Sequence, residues 1–126
     1  MEDAPPIRDD EYVIKHIPGG PMWQGKPTSP RVTSGNFELR KDMGETGSSC
    51  SREEMTSPQE MLARLKTNES SRVARAQVQD IRHLGFEVVP KQTCDDPGHA
   101  EIISKESSLD NHSHRQKLAA LFHFID

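Results

Sequence analysis

A run of prolines and glycines, PGGPMWQGKPTSP at residues 18–30, most constrains how this chain can fold. It holds four prolines and three glycines, and proline lacks the N–H group that a helix interior or a central strand needs. The segment therefore predicts a long loop without regular structure. It also carries the single tryptophan, Trp23, next to Met22. A long loop inside a compact domain is usually either functional or disordered.

The apolar content predicts a small core. Leu, Ile, Val and Phe occur 7, 7, 6 and 4 times, which makes 24 of 126 residues and lies close to the level of about 20% below which disorder is common. The net charge is only −4, so charge repulsion does not favour an open chain. We therefore predict a mobile tail at residues 1–10 and a single domain at 11–126 with long loops at 18–30 and 41–56.

Charge and hydropathy argue against several classes of protein. A pI near 5.8 is not typical of a general nucleic-acid binder, which carries a basic excess. No apolar run of 18 residues is present to span a membrane. The acidic start of the chain, MEDAPPIRDDEY, lacks the apolar region of a secretory signal. The sequence therefore predicts a cytoplasmic protein, in which Cys50 and Cys94 are free thiols.

Several segments have the pattern of strands. They are EYVIKHI at 11–17, RVTSGNFELR at 31–40, FEVVP at 86–90 and HAEIIS at 99–104. In the first of them, alternation places Lys15 on one face with Val13 and Ile17, and places His16 on the other face with Ile14. The polar segment 41–56 predicts a hairpin connection or a mobile loop, with a possible short strand at SSCS.

Helix signals complete an α+β pattern. Ser57, Pro58 and Glu60 form a capping box with a proline at the first helical position. The segment 72–84 fits either one helix or a strand at 72–76 followed by a helix at 77–84, and both versions end at Gly85. A last helix is predicted over RQKLAALFHFI, 115–125. We therefore expect a small mixed or antiparallel sheet with two to three helices packed on one face.

His99 and Glu101 are the candidate catalytic residues. Two positions apart on a strand, they share a face. Imidazole titrates near neutral pH and a carboxylate can orient it, which suits general acid–base chemistry. In the alternative interpretation, His99 begins an edge strand and Glu101 is solvated.

Arg31 and Ser34 are the candidate anion-binding residues. They lie in RVTSGNF, where an arginine, hydroxyl groups and a flexible glycine could hold a phosphate or a carboxylate. The segment lacks the Walker pattern. In the alternative interpretation, it is a turn whose polar side chains bond to the local backbone.

Three further patterns favour simpler interpretations. Residues 58–84 resemble a helix-turn-helix with arginines and glutamines on its second half, but the acidic chain and the five-residue link argue against DNA binding. The histidines at 112, 114 and 123 match no zinc spacing, so no metal site is predicted. Cys50 lies beside Arg52, which could lower the pKa of a thiol, although a surface cysteine without a function is the simpler interpretation.

A resemblance to a family of small uncharacterised bacterial proteins covers residues 11–104. Those proteins have an extended Ser-x-x-Phe segment, an Arg-x-Leu-Gly helix end and a Pro-x-His-Ala strand. The matching positions here are Ser34 and Phe37, then Arg82, Leu84 and Gly85, and then Pro97, His99 and Ala100. The resemblance implies a bacterial, cytoplasmic α+β domain and draws attention to His99. Gly98 departs from the pattern, since a side chain is expected there.

These patterns support two main hypotheses about function. In the first, the protein is an accessory module that binds another protein or itself through Trp23 and Met22, together with the apolar last helix. In the second, it is a small enzyme or a nucleotide- or anion-binding domain that uses His99 and Arg31. The sequence leaves open whether it is an enzyme, and it predicts no cofactor.

Overall fold

The computed structural model describes residues 4–18, 22–23, 26–27, 31–65 and 71–125. Within these ranges the chain forms eight strands and three α-helices. The strands are β1 (Tyr12–Ile17), β2 (Met22–Trp23), β3 (Lys26–Pro27), β4 (Ser48–Arg52), β5 (Arg72–Gln77), β6 (Phe86–Pro90), β7 (His99–Ser104) and β8 (His123–Phe124). The helices are α1 (Pro58–Leu65), α2 (Val78–His83) and α3 (His112–Ala119), and short 3-10 turns lie at Ser34–Phe37 and Lys41–Met43.

Six strands form one antiparallel sheet in the order β6-β7-β4-β1-β5-β8. Strands β2 and β3 pair separately, within the segment predicted to lack regular structure. The predicted α+β class with an antiparallel sheet is therefore confirmed. None of the described helices is long and apolar enough to cross a membrane.

The two faces of the sheet are covered by different helices. Val13 and Ile17 of β1 belong to the main core, which α2 and α3 cover. Ile14 points to the opposite face, where it packs with Met61 of α1 and with Val73. Two helices therefore share one face, as predicted, while α1 partly covers the other.

The segment 72–84 adopts the second of its two predicted arrangements. Strand β5 pairs with β1 through six residue pairs, and α2 follows it directly. A strand therefore occupies the first part of the segment that would be the second helix of a helix-turn-helix, so residues 72–84 do not form that motif. Gly85 has φ +98, the conformation that favours glycine at the end of a helix.

The segment 31–40 is not the strand that its pattern predicts. Asn36 Oδ1 accepts from the Thr33 backbone N–H at 2.7 Å, and the Asn36 N–H donates to the Thr33 carbonyl at 3.1 Å. These bonds fold the chain into the 3-10 turn at Ser34–Phe37. They deliver Phe37 to the core, where its ring centroid lies 5.1 Å from that of Phe122.

The predicted last helix begins and ends earlier than its apolar pattern indicates. Asn111 caps α3 by accepting from the His114 N–H at 3.0 Å, so the helix starts inside the segment predicted as a polar connection. After Ala119 the chain turns, and Phe124 pairs with Ala74 in β8. The last apolar residues thus close the sheet instead of extending the helix.

The most polar strand, β4, lies between β7 and β1 in the sheet. Its last residue, Arg52, is only 1% exposed. The Arg52 guanidinium meets the Glu11 carboxylate twice, Nε to Oε1 at 2.8 Å and Nη2 to Oε2 at 2.7 Å. Two parallel bonds of this kind give a buried ion pair the geometry that it needs.

The same arginine also holds the start of the chain. Arg52 Nη1 donates to the Pro5 carbonyl at 2.6 Å, and Nη2 donates to the Pro6 carbonyl at 3.2 Å. Next to these prolines, Ile7 is buried in the main core. Residues 5–7, part of the segment predicted to be mobile, therefore contact the rest of the protein.

Breaking the Arg52–Glu11 pair should strongly destabilise the protein. In Arg52→Met, the Glu11 carboxylate stays buried and keeps only the exposed Arg8 guanidinium, 3.9 Å away, as a counter-ion, which we expect to cost about 3–5 kcal/mol. Urea unfolding measures this difference. Lys41→Met, which breaks an exposed pair with Asp110, is the control and should cost less than about 1 kcal/mol. Equal losses in the two variants would contradict this role of the buried pair.

Candidate functional site

A gap opens in the sheet between β1 and β4. On one side, β1 pairs with β5 over its whole length through six residue pairs. On the other side, it pairs with β4 only at Val13/Arg52 and Ile14/Ser51. The remainder of β4 pairs with β7 alone. Beyond Ile14, strands β1 and β4 therefore do not form a backbone ladder.

The side chain of Lys15 bridges this gap. Its Nζ donates to Ser48 Oγ and to the Ser49 carbonyl, both at 2.9 Å. It also lies 5.1 Å from the centroid of the Phe37 ring. The residue is 8% exposed, and burial lowers the pKa of Lys15, an effect that the charge of Glu45 partly opposes.

A pocket of about 530 Å³ enters the sheet at this gap. Its lining includes His16, Ser49 and His99, which lie on the α1 face of the sheet, and also Lys15 and Cys50, which lie on the opposite face. Residues of both faces therefore line one pocket, at the point where the ladder between β1 and β4 ends. A second recess shares Lys15, His16 and Ser49 with it.

Asp96 forms one wall of the pocket and is held in place by a hydrogen-bond network. Its carboxylate accepts from Ser51 Oγ and Thr56 Oγ1, both at 2.5 Å, and from the Gly98 N–H at 3.0 Å. Arg64 Nη1 lies 3.3 Å from Asp96 Oδ2. Burial alone raises the pKa of Asp96, but these hydrogen bonds and the charge of Arg64 outweigh it, so the pKa lies below its usual value.

Gly98 allows this wall to approach β4 closely. A Cβ atom there would lie 2.8 Å from Thr56 Oγ1 and 3.0 Å from Met55 Cβ. The Gly98 carbonyl also accepts from the Arg52 N–H at 2.8 Å. The missing side chain at Gly98 therefore lets the backbone just before His99 pack directly against the end of β4. This is the position at which the sequence departs from the pattern of the family that it resembles.

The imidazole of His99 is fixed in one tautomer. Its Nδ1 lies 2.9 Å from the Lys91 carbonyl oxygen. A carbonyl only accepts hydrogen bonds, so Nδ1 carries the hydrogen and the lone pair of the neutral ring is on Nε2. His99 lies opposite Ser51 in the sheet and lines the pocket. It can therefore exchange a proton through Nε2.

His16 is the second histidine of the pocket. It is half-buried, and burial together with the neighbouring charge of Lys15 lowers its pKa. Its Nε2 is shielded from solvent and bonds to no residue that the structure describes. A proton exchanged with the contents of the pocket would therefore pass through Nδ1.

Glu101 shares a strand face with His99, but the two do not hydrogen-bond. The Glu101 carboxylate instead faces Lys91 Nζ at 3.3 Å. The orienting role predicted for Glu101 belongs to the Lys91 carbonyl.

The predicted anion-binding residues lie elsewhere on the molecule. Ser34 borders a separate shallow groove with Gln116 of α3, and its Oγ lies 3.4 Å from His112 Nδ1. Arg31 is exposed and does not line the His99 pocket. The cations of that pocket are Lys15, Arg40 and Arg64, none of which a sequence motif indicates.

The predicted interaction residues differ in how far the structure describes them. Met22 and Trp23 form β2, and their side chains lie outside the described part of the chain. In the C-terminal segment, Leu118 and Phe122 are buried in the main core. Within the described residues up to 125, the C-terminal segment therefore has no exposed apolar helix.

The two cysteines are free thiols, as predicted. Cys50 is buried, not on the surface, and burial raises the pKa of its thiol to about 12. Arg52 cannot activate it, because its guanidinium is bound to Glu11. Among the described residues, no three candidate ligands come together as a metal site.

Comparison with known proteins finds no matching family model, no matching curated protein and no matching solved structure. The resemblance to small bacterial proteins stays a prediction. The geometry of the pocket is therefore the basis for assigning a function.

The stabilisation of Asp96 should depend on pH. Asp96→Asn removes a charge that several donors stabilise, so we expect it to cost roughly 1.5–3 kcal/mol at neutral pH. Because the pKa of Asp96 is lower in the folded protein than its unfolded value of about 3.9, the carboxylate stabilises the fold above about pH 4. This contribution is lost as the pH falls through the folded-state pKa.

Chemical denaturation of both proteins between about pH 7 and pH 2 measures this difference in unfolding free energy. It should shrink on acidification. Asp95→Asn, at an exposed position next in sequence, is the control and should change stability little. A difference for Asp96→Asn that stays constant with pH would contradict the account.

Proposed function

We propose that the protein binds a small anionic ligand in the pocket between β1 and β4, with Lys15 at its base. One observation carries the proposal. Lys15 is a buried cation that makes no ion pair with any carboxylate in the described ranges. Buried charges are usually paired, because an unpaired charge in a protein interior is costly. An anionic ligand would supply the missing partner.

Lys15 also has the donor capacity for a ligand. An ammonium group has three N–H donors, and Ser48 and Ser49 take two of them. The third has no oxygen acceptor among the described residues, and the Phe37 ring lies 5.1 Å from Nζ. It can therefore point to a phosphate or carboxylate oxygen.

The remainder of the pocket fits a small molecule. Its volume of about 530 Å³ lies within the range of about 300–1,000 Å³ that is usual for ligand sites. Met61 supplies an apolar surface, Ser49 and Thr93 supply hydroxyl groups, and Arg64 supplies a second cation. The proposal keeps His99 from the hypothesis of a nucleotide- or anion-binding domain. It replaces Arg31 and Ser34 with Lys15 and Arg64 as the residues that bind the anion. We also propose that the protein is bacterial and that it is located in the cytoplasm.

Removing the Lys15 charge should weaken binding of an anion. Isothermal titration calorimetry with inorganic phosphate and with adenosine monophosphate should give a saturable signal. Lys15→Met keeps the length of the side chain and should weaken binding roughly 10- to 100-fold, since a charged hydrogen bond contributes about 1.5–3 kcal/mol.

Affinity should also fall as the pH rises through the lowered pKa of Lys15, because only the ammonium form attracts the anion.

Lys41→Met is the matched control, because it removes an exposed lysine outside the pocket. It should bind both anions as the wild type does. Equal affinity in Lys15→Met and the wild type would contradict the proposal, as would a lack of binding to either probe at millimolar concentrations.

We propose, as a second candidate, a role in binding another protein or a second copy of this chain. The supporting observation is that Met22 and Trp23 belong to a small sheet separate from the sheet that carries the core. Deletion of residues 19–28 should therefore change the melting temperature little and abolish any dimer that native mass spectrometry detects. A large loss of stability, or a wild type that is monomeric at high concentration, would contradict self-association.

A further inference from the structure

We propose that the pocket cleaves a small phosphodiester that carries a hydroxyl group next to the phosphate, with His16 and His99 as the proton-transfer pair. The linkage of a ribodinucleotide belongs to this class. The inference rests on the proposed anion site and adds a reaction to it.

The two histidines lie on the same face of the sheet with one strand between them. His99 is opposite Ser51, and Ser51 is opposite Ile14, two residues before His16. A regular sheet, with strands about 4.8 Å apart and a rise of about 3.4 Å per residue, would place the Cα atoms of His16 and His99 roughly 12 Å apart. Because β1 and β4 do not pair beyond Ile14, this value is a lower bound. Two imidazoles that extend into the pocket from these positions can contact opposite sides of one phosphate group.

The available nitrogens suit opposite roles. Burial and Lys15 favour the neutral form of His16, which lets Nδ1 accept a proton. His99 holds Nδ1 against the Lys91 carbonyl, so its imidazolium form donates from Nε2. The other charged groups that line the pocket are Lys15, Arg40, Arg64, Asp95 and Asp96.

The protein itself offers no activated nucleophile among the described lining residues. The Cys50 thiol is buried and has a pKa of about 12. The Ser51 hydroxyl donates to Asp96, but the lowered pKa of that carboxylate makes it a weak base for activating the hydroxyl. The attacking oxygen is therefore expected to come from the substrate. A hydroxyl next to the phosphate is already in position, which lowers the entropic barrier to attack.

The reaction conserves atoms and electrons. The 2′ oxygen bonds to phosphorus while its proton passes to His16 Nδ1. The bond from phosphorus to the 5′ oxygen breaks, and that oxygen takes a proton from His99 Nε2. The products are a 2′,3′-cyclic phosphate and a free 5′-hydroxyl, and Lys15 and Arg64 stabilise the extra negative charge as phosphorus becomes five-coordinate.

The substrate should be small, because the chain has a net charge of −4. A long nucleic acid needs many cationic contacts along its backbone. Of the three described cations that line the pocket, Arg40 is paired with Glu45 and Arg64 with Asp96, which leaves little positive charge for a second phosphate.

The test uses uridylyl-adenosine and its analogue without the 2′-hydroxyl, in a buffer that contains EDTA. Liquid chromatography should show the ribodinucleotide converted first to the 2′,3′-cyclic phosphate, with a bell-shaped dependence of kcat/KM on pH. The deoxy analogue should bind without being cleaved.

Two variants remove the proton-transfer nitrogens and keep the structural ones. Asparagine in His99→Asn can still donate to the Lys91 carbonyl, and glutamine in His16→Gln keeps a polar atom near the position of Nε2. Each should lower kcat by about 100-fold or more and leave binding of the deoxy analogue nearly unchanged. His83→Gln, at an exposed position on α2, is purified in the same way and should keep full activity.

The outcomes separate the two proposals. Binding of the deoxy analogue without cleavage of the ribodinucleotide would overturn the reaction and leave the anion site standing. A failure to bind either the analogue or inorganic phosphate would overturn both. Cleavage that persists in His99→Asn and His16→Gln, or cleavage of long RNA in preference to the dinucleotide, would also overturn the reaction at this pocket.

Discussion

The buried pair of Arg52 and Glu11 determines how the centre of this sheet is built. It joins the end of β4 to the residue that precedes β1, directly next to the Val13/Arg52 pair at one end of their short ladder. The Arg52 backbone N–H also binds the Gly98 carbonyl, one residue before β7. One arginine thus connects the N-terminal segment, both central strands and the loop that leads to His99. Because β1 and β4 are fixed together at this end, their divergence falls at the other end.

That divergence converts a structural strand pair into a possible binding site. Where the ladder stops, Lys15 joins the strands through Ser48 and Ser49. Burying an ammonium group without a carboxylate is unfavourable, and its pKa is lowered accordingly. At this opening, residues of both sheet faces line one pocket, and buried Lys15 is among them. The pocket is therefore a consequence of the incomplete ladder, with Asp96 and Arg64 forming its wall.

The sequence predicted the elements whose signals are local and failed where long-range pairing decides. The capping box of α1, Gly85 after α2 and the strand HAEIIS depend on neighbouring residues, and the structure contains each of them. Strand β4, SSCSR, has little apolar character, and Arg52 belongs inside only because Glu11 meets it from a distant part of the chain. The 3-10 turn before Phe37 and the edge strand β8 are likewise fixed by tertiary contacts with the core and with β5.

Only the part of the candidate site with a local signal was predictable from the sequence, for the same reason. His99 was identified from its own segment, and the pocket contains it. Lys15 had a visible signal, a charge between Val13 and Ile17 on one strand face, but the role that we propose for it depends on the gap that only the register of β1 and β4 reveals. Arg64 joins the site through Asp96, which the sequence presents as part of a turn. In the proposed site, the positive charge that was expected from Arg31 comes instead from Lys15 of β1 and Arg64 of α1.

The most direct measurement of the central claim is a nuclear magnetic resonance titration of the intact protein with inorganic phosphate. It would follow the side-chain signals of Lys15 and Arg64 and the ring protons of His16 and His99. We predict saturable shifts in these four residues with one common dissociation constant, while exposed His83 and Lys41 stay unchanged. Shifts that are absent, or that spread evenly over surface lysines and histidines, would contradict an anion site at the gap between β1 and β4.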